Sequence, residues 1–112
     1  MGEALLVRRG GDMNEYSVIY DKSYAASPIV INNLDFGNFT YFVVCVAEEE
    51  YYFNGEYTVS QSNCWFLVED GIVALQSSNF PLEITAGGTS ITVSDKNNYD
   101  VAGAICLAIQ HG

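Results

Sequence analysis

Positive charge is scarce in this chain. Four Lys+Arg stand against fourteen Asp+Glu, a formal net charge of -10 over 112 residues. Phosphate backbones and anionic lipid surfaces are held by clustered lysine and arginine, so composition argues against nucleic acid and against a membrane surface as partners. Histidine is scarcer still: His111, next to the last residue, is the only one. Chain ends are poorly held unless tied down. A lone histidine there is a poor general base or metal ligand, which removes Ser-His-Asp and Cys-His catalysis and the usual histidine-bearing zinc sites. No P-loop, G-x-G-x-x-G or G-x-S-x-G occurs. No apolar run approaches the ~20 residues of a transmembrane helix. No signal peptide is expected, since Glu3 precedes a short apolar run that ends at Arg8 and Arg9. The expectation is a chain made in the cytoplasm, not an enzyme, with no cofactor and no metal.

Cysteine is sparse and irregular. Cys45, Cys64 and Cys106 are odd in number, form no C-x-x-C, and each lies inside an apolar run. They read as buried reduced thiols, with a bond from Cys64 to either of the others as the alternative. Asn38-Phe39-Thr40 fits the glycosylation pattern, a chance match in a chain without an export signal.

Helical periodicity is close to absent. The one helix candidate, "DKSYAASP", is short and stopped by Pro28. Hydrophobic residues make up 49% of the chain and charged ones only 16%, which excludes disorder and places 1–112 in a single folded domain. β-Branched and aromatic residues dominate, and the punctuation is that of hairpins. "YYFNGEYTV" sets Asn54-Gly55 between two strand-like runs, and "WFLVEDGIVAL" does the same with Asp70-Gly71. Both dipeptides supply the positive φ angles of a type I′ turn. "LEITAGGTSITVS" adds a third turn around Gly87-Gly88. There Phe80, Leu82, Ile84, Ile91 and Val93 alternate with polar residues, one face buried and one wet. Strands are expected near 3–8, 15–20, 28–34, 39–47, 49–53, 56–61, 63–69, 72–77, 80–86, 89–94 and 101–110, some of them merging. The fold class is all-β: an antiparallel β-sandwich, jelly-roll-like, with an N-terminal strand or arm over residues 1–12.

Three strands, "YFVVCVA", "CWFLV" and "AGAICLAI", are apolar on both faces. A two-layer sandwich covers only one face of each strand. The second cover is expected from other copies of the chain, because an obligate interface resembles a core cut in half. A homotrimer is the expected assembly.

Paired carboxylates are present at Glu48, Glu49 and Glu50, at Glu69-Asp70, and at Asp95 and Asp100, but residues flanking hairpins are mostly solvated, which disfavours acid–base catalysis. "SDKNNYD" carries oxygen ligands at Asp95 and Asn97 without the glycine or closing glutamate of an EF-hand loop, so a polar loop is preferred over a calcium site. Aromatic and acidic residues mix around the Asn54 turn. Tyr51, Tyr52 and Tyr57 with Glu49 and Asn54 form a candidate ligand or interface surface, for a cell-surface glycan or a protein; cross-strand packing is the simpler account.

The N-terminal segment holds half of the cations, Arg8 and Arg9. Leu5, Val7, Arg8 and Arg9 are the candidate assembly residues, the arginines meeting carboxylates of the same or a neighbouring acidic subunit. The stretch "ALLVRRGG" resembles the start of small phage and prophage structural proteins from Gram-positive gut bacteria, over about the first twelve residues. The apolar end "GAICLAIQ" and the acidic, β-rich character fit the same resemblance. It implies a virion component of tail-fibre, baseplate or head-decoration type, with other virion proteins as partners and no catalytic residue. A carbohydrate- or receptor-binding module is the alternative.

Overall fold

Two dipeptides organise the chain. Asn54 (φ 55°) and Gly55 (φ 79°) form one left-handed pair, Asp70 (φ 54°) and Gly71 (φ 75°) another. Both are two-residue hairpin loops with the I′ twist that matches flanking strands. The first joins β4 (Phe39–Phe53) to β5 (Glu56–Glu69), with Phe53 opposite Glu56; the second joins β5 to β6 (Ile72–Gln76), with Glu69 opposite Ile72. The computed structural model describes residues 5–7, 16–22 and 28–111. The remaining strands are β1 (Leu5–Val7), β2 (Tyr16–Lys22), β3 (Ile29–Ile31), β7 (Glu83–Gly87), β8 (Ser90–Ser94) and β9 (Tyr99–Gln110), and the described residues include no helix. Most of the helix candidate, residues 23–27, lies outside the described residues; its first two, Asp21 and Lys22, close β2.

The strands form two antiparallel sheets, one of six in the order β1-β2-β9-β4-β5-β6 and one of three in the order β3-β8-β7. The chain is an all-β sandwich. It differs from an even jelly roll because the tight Asn54-Gly55 turn keeps β5 beside β4 in the same sheet. The expected breaks at residues 48 and 62 do not occur. Glu48 is paired on both sides, with Gln61 and with Asp100, so strand pairing carries through the acidic run. At the third turn the loop is Gly88-Thr89, one residue later than expected, since Gly87 pairs Ser90. Gly88 alone takes the positive φ there (59°), the pattern of a type II′ loop.

The core lies between the sheets. The large sheet contributes Tyr41, Val43, Cys45 and Ala47 from β4, Cys64, Phe66 and Val68 from β5, and Ala104, Cys106 and Ala108 from β9. The small sheet returns Ile29, Ile31, Ile91 and Val93, with Leu82 just ahead of β7. Small side chains on β9 thus sit beneath bulky β-branched ones, which lets two twisted layers interdigitate. One edge of the sandwich is closed by polar contacts. The Tyr41 hydroxyl accepts from the Asp35 backbone N–H at 2.8 Å, and the Asp35 carboxylate accepts from Asn38 Nδ2 at 2.7 Å. The Asn38 amide most of all, with the backbone N–H groups of Gly37 and Asn38, holds the Asp35 carboxyl below its ordinary pKa. His111 is tied down rather than frayed: its N–H donates to Asn38 O at 2.9 Å, and its Nε2 lies 2.9 Å from Thr40 Oγ1.

All three cysteines are free and buried, as expected. Cys45 stands directly opposite Cys64, whose thiol donates to the Cys45 carbonyl at 3.7 Å. Burial pushes the thiols up, Cys45 and Cys106 to about 12 and Cys64 to about 11. The reactive thiolate is therefore negligible near neutrality. Titration with a thiol reagent at pH 8 will find all three silent in the native protein and all three reactive after denaturation without reductant; fast native labelling of any of them contradicts this packing. The turn gives a second expectation. A Cβ on Gly55 meets nothing within 4 Å, so its only penalty is conformational. Gly55→Val will cost about 1–2 kcal/mol, because a β-branched residue resists positive φ. Urea unfolding checks it, and an unchanged midpoint contradicts the I′ assignment.

Candidate functional site

β9 stops pairing with β4 at Glu49, opposite Tyr99. Beyond that point β4 and β5 continue alone as a hairpin arm, their pairing running on to Phe53 and Glu56. The arm is exposed on both faces because neither sheet covers it. Tyr52 is 74% exposed, Phe53 64% and Tyr57 56%. The pleat divides the residues that the sequence groups together. On one side lie Glu48, Glu50 and Tyr52 of β4, opposite Gln61, Val59 and Tyr57 of β5. On the other lie Glu49, Tyr51 and Phe53, opposite Ser60, Thr58 and Glu56. Tyr52 and Tyr57 do form a cross-strand pair, ring centroids 5.8 Å apart and edge-on. Tyr51 and Glu49 are on the opposite face, and Asn54 is in the turn, so the five-residue surface does not form as one patch.

Strand pairing adds a residue that sequence order hides. Asp100 of β9 sits opposite Glu48, and Glu48, Glu50 and Asp100 offer carboxylate oxygens all within 4.8 Å of one another. Gln61 Nε2 donates to Glu48 Oε2 at 3.0 Å. The Asp100 carboxyl is raised, first by desolvation, then by the charge of Asp95 and a hydrogen bond with it, then by Glu50 and Glu48. The Tyr57 phenol is raised by desolvation and by its hydrogen bond to Glu50, and Tyr99 mainly by the charge of Glu49. A hard cation such as calcium takes about six to eight oxygen ligands, and these three carboxylates would be part of such a set. Asp95 and Asn97 do not sit on an open loop. Asn97 (φ 50°) and Asn98 (φ 68°) are instead a two-residue turn between Lys96 and Tyr99, which bond each other at 3.1 and 3.0 Å. Chemically the arm and its base present carboxylates and phenols that range from half-buried to exposed.

Two other features bear on function. A shallow cleft of ≈ 370 Å³ opens between Phe36, Gly37, Asp70, Gly71, Gly87 and Gly88, where three turns meet. Its lining carries one ionisable group, Asp70. The outer face of the large sheet is apolar over its centre. Phe42, Val44 and Val46 of β4, Trp65 and Leu67 of β5, and Ile105 and Leu107 of β9 alternate with the core residues. The register sets Val44 between Trp65 and Ile105, and Phe42 between Leu67 and Leu107. Phe42 packs on Trp65 at 5.8 Å, yet Trp65 stays 36% and Ile105 40% exposed. Among the described residues no element lies across this face, since the three-stranded sheet takes the other one.

Of the candidate assembly residues, Leu5 and Val7 belong to β1, an edge strand paired with β2 of the same chain through Leu5–Val18 and Val7–Tyr16. Arg8 and Arg9 lie outside the described residues. No protein-family model, curated protein or solved structure matches the chain.

The Asp100 shift carries a pH dependence. A carboxyl raised on folding binds its proton more tightly in the folded state, so its contribution is present at acid pH and is lost as pH rises through the folded pKa. Asp100→Asn will therefore match the parent in thermal midpoint at pH 3.5 and exceed it at pH 7, by under about 1 kcal/mol, the scale of exposed charge interactions. Equal midpoints at both pH values contradict the crowding of Asp100 against Asp95, Glu50 and Glu48.

Proposed function

We propose that this chain is a non-enzymatic structural protein that assembles as a homo-oligomer, a homotrimer, of the kind that builds phage or prophage particles. The carrying observation is the outer face of the large sheet, where Phe42, Val44, Trp65, Leu67, Ile105 and Leu107 make a continuous apolar centre on strands whose other face is already the core. Apolar surface gains ~25 cal/mol per Å² on leaving water, and a standard interface removes about 1,600 Å² in total. The clustered carboxylates of this sheet, Glu48, Glu50 and Asp100, do not oppose this contact, because they lie beyond the apolar centre toward the arm. The N-terminal "ALLVRRGG" supports the virion setting, and Leu5, Val7, Arg8 and Arg9 remain the residues proposed to approach neighbouring acidic copies.

A second reading rests on the arm. The exposed Tyr52–Tyr57 pair beside Glu50 offers an aromatic surface with hydroxyl-binding oxygens, the groups a glycan or receptor would meet. It is compatible with the first, because a particle component can assemble by one surface and bind by another.

Light scattering tests the assembly. The full chain is expected as a multi-chain species at micromolar concentration, and Ile105→Lys, at an exposed position on the apolar face, will lower the number of chains while leaving the circular dichroism spectrum unchanged. A full-length monomer at high micromolar concentration refutes assembly. A mass unmoved by Ile105→Lys refutes the role of the outer face.

A further inference from the structure

The β5 strand has an open edge. β6 pairs with it only from Phe66 to Glu69, and Ser77 closes the next position, its N–H donating to Trp65 O at 2.9 Å and its Oγ accepting from Trp65 N at 3.1 Å. The backbone groups of Trp65 thus point away from β4. Strand geometry alternates by residue, and the β4–β5 register has no shift, so Tyr57, Val59, Gln61 and Asn63 point their N–H and C=O groups the same way. Among the described residues nothing pairs with them. Residues 57–63 are exposed apart from the half-buried Thr58.

Such an edge is a template for another strand, and proteins blunt it with lysine, proline, bulges or inward charges. None of these devices is here. Residues 57–68 contain no Lys, Arg, Asp, Glu or Pro, although the opposite strand of the same hairpin carries Glu48, Glu49 and Glu50. A backbone edge recognises an extended strand by its hydrogen bonds, so the occupant is a strand. Two properties select a second copy of this chain.

The first is self-complementarity. Pairing two β5 edges antiparallel about Ser60 sets Tyr57 against Asn63 and Val59 against Gln61. All four outward residues of each copy are then used, and each such pair exchanges both of its bonds. Thr58 meets Ser62 and Ser60 meets itself, side-chain pairs that stabilise sheets. The second is charge. In this register the two β4 strands are three strand spacings apart, about 14 Å. The rows Glu48–Glu50 of the two copies are then separated by more than the Debye length of about 8 Å at physiological salt. The Glu48 carboxylate, moreover, already accepts a hydrogen bond from Gln61.

We infer that two copies of this chain join edge to edge through β5, antiparallel about a two-fold axis at Ser60, continuing the large sheet from one copy into the next. This contact deepens the proposed self-assembly and is separate from the apolar face. The face gathers copies around one axis, and the edge then links two such groups.

Cross-linking in the full chain tests the register. Opposed residues at the non-hydrogen-bonded Ser60 position have Cα atoms about 4.5 Å apart, inside the disulfide range of about 4.4–6.8 Å. Ser60→Cys will therefore give a covalent dimer on a non-reducing gel, while Asn63→Cys, which faces Tyr57 of the other copy, will stay single. The native thiols are buried and take no part. Val59→Pro removes an outward donor without touching a bond to β4, and it will halve the mass seen by light scattering. No dimer from Ser60→Cys, or equal cross-linking at Asn63, overturns the two-fold pairing, as does a partner strand from another protein occupying the edge. An unchanged mass for Val59→Pro also overturns it. Failure of the outer-face reading appears instead as insensitivity to Ile105→Lys, so the two are distinguished.

Discussion

Everything in this fold depends on the register of β4. It is the long central strand of the large sheet, bonded along most of its length on both sides, to β5 from Tyr41 to Phe53 and to β9 from Phe39 to Glu49. Hydrophobic pattern does not set that register. A slip of one residue would exchange Val43 and Cys45 for Phe42 and Val44, and both sets are apolar. What remains is turn chemistry and size. Asn54 and Gly55 accept the positive φ angles that allow only one closing pair. Beneath Ile29, Ile91 and Val93 there is room for Cys45, Ala47, Ala104 and Ala108, whereas Phe42, Leu67 and Leu107 on the other face would overpack the layer.

Local signals were therefore legible in the sequence and long-range ones were not. Asn-Gly and Asp-Gly specify their hairpins in two residues, and the period of two in β7 and β8 shows which side is buried. The all-β class and the burial of the three thiols follow from the same local composition. Pairings between distant segments leave no such mark. Nothing near Asp100 announces Glu48 as its neighbour, and only the β4–β9 ladder brings them together. The stretch holding Asp95 and Asn97 reads as a polar loop, and the left-handed backbone of Asn97 and Asn98 makes it a tight turn. Tyr51 and Tyr52 were grouped by adjacency, which in a strand guarantees opposite faces. His111 was judged by its position in the chain, but pairing of Phe39 with Gln110 holds the end of β9 in place.

The same register sorts charge from apolar surface. On the outer side of β4 the sequence passes from Phe42, Val44 and Val46 to Glu48 and Glu50, and β9 passes from Leu107 and Ile105 to Asp100. One sheet face thus has an uncharged centre and an acidic end. Charges at that end repel mainly one another, as the raised Asp100 carboxyl records. They keep the arm hydrated and disfavour contacts that bring two arms' β4 strands together. An acidic chain can in this way be soluble at its tip and associative over its middle.

The arm itself is asymmetric, and that asymmetry bears on the proposed pairing of copies. If solvation alone shaped it, both strands would carry charge, since both face solvent along the arm. Instead Glu48, Glu49 and Glu50 lie together on β4, while β5 carries Glu56 beside the turn and no charge from residue 57 to 68. β4 is the strand that a neighbour cannot reach from the β5 side, and β5 is the strand whose backbone remains unsatisfied there. In the proposed pairing, charge placed on β5 would sit within one strand spacing of its own image, where screening is weakest. Its absence from residues 57 to 68 of that strand, together with its accumulation one strand further in, leaves the β5 edge the least repelled backbone surface the arm presents.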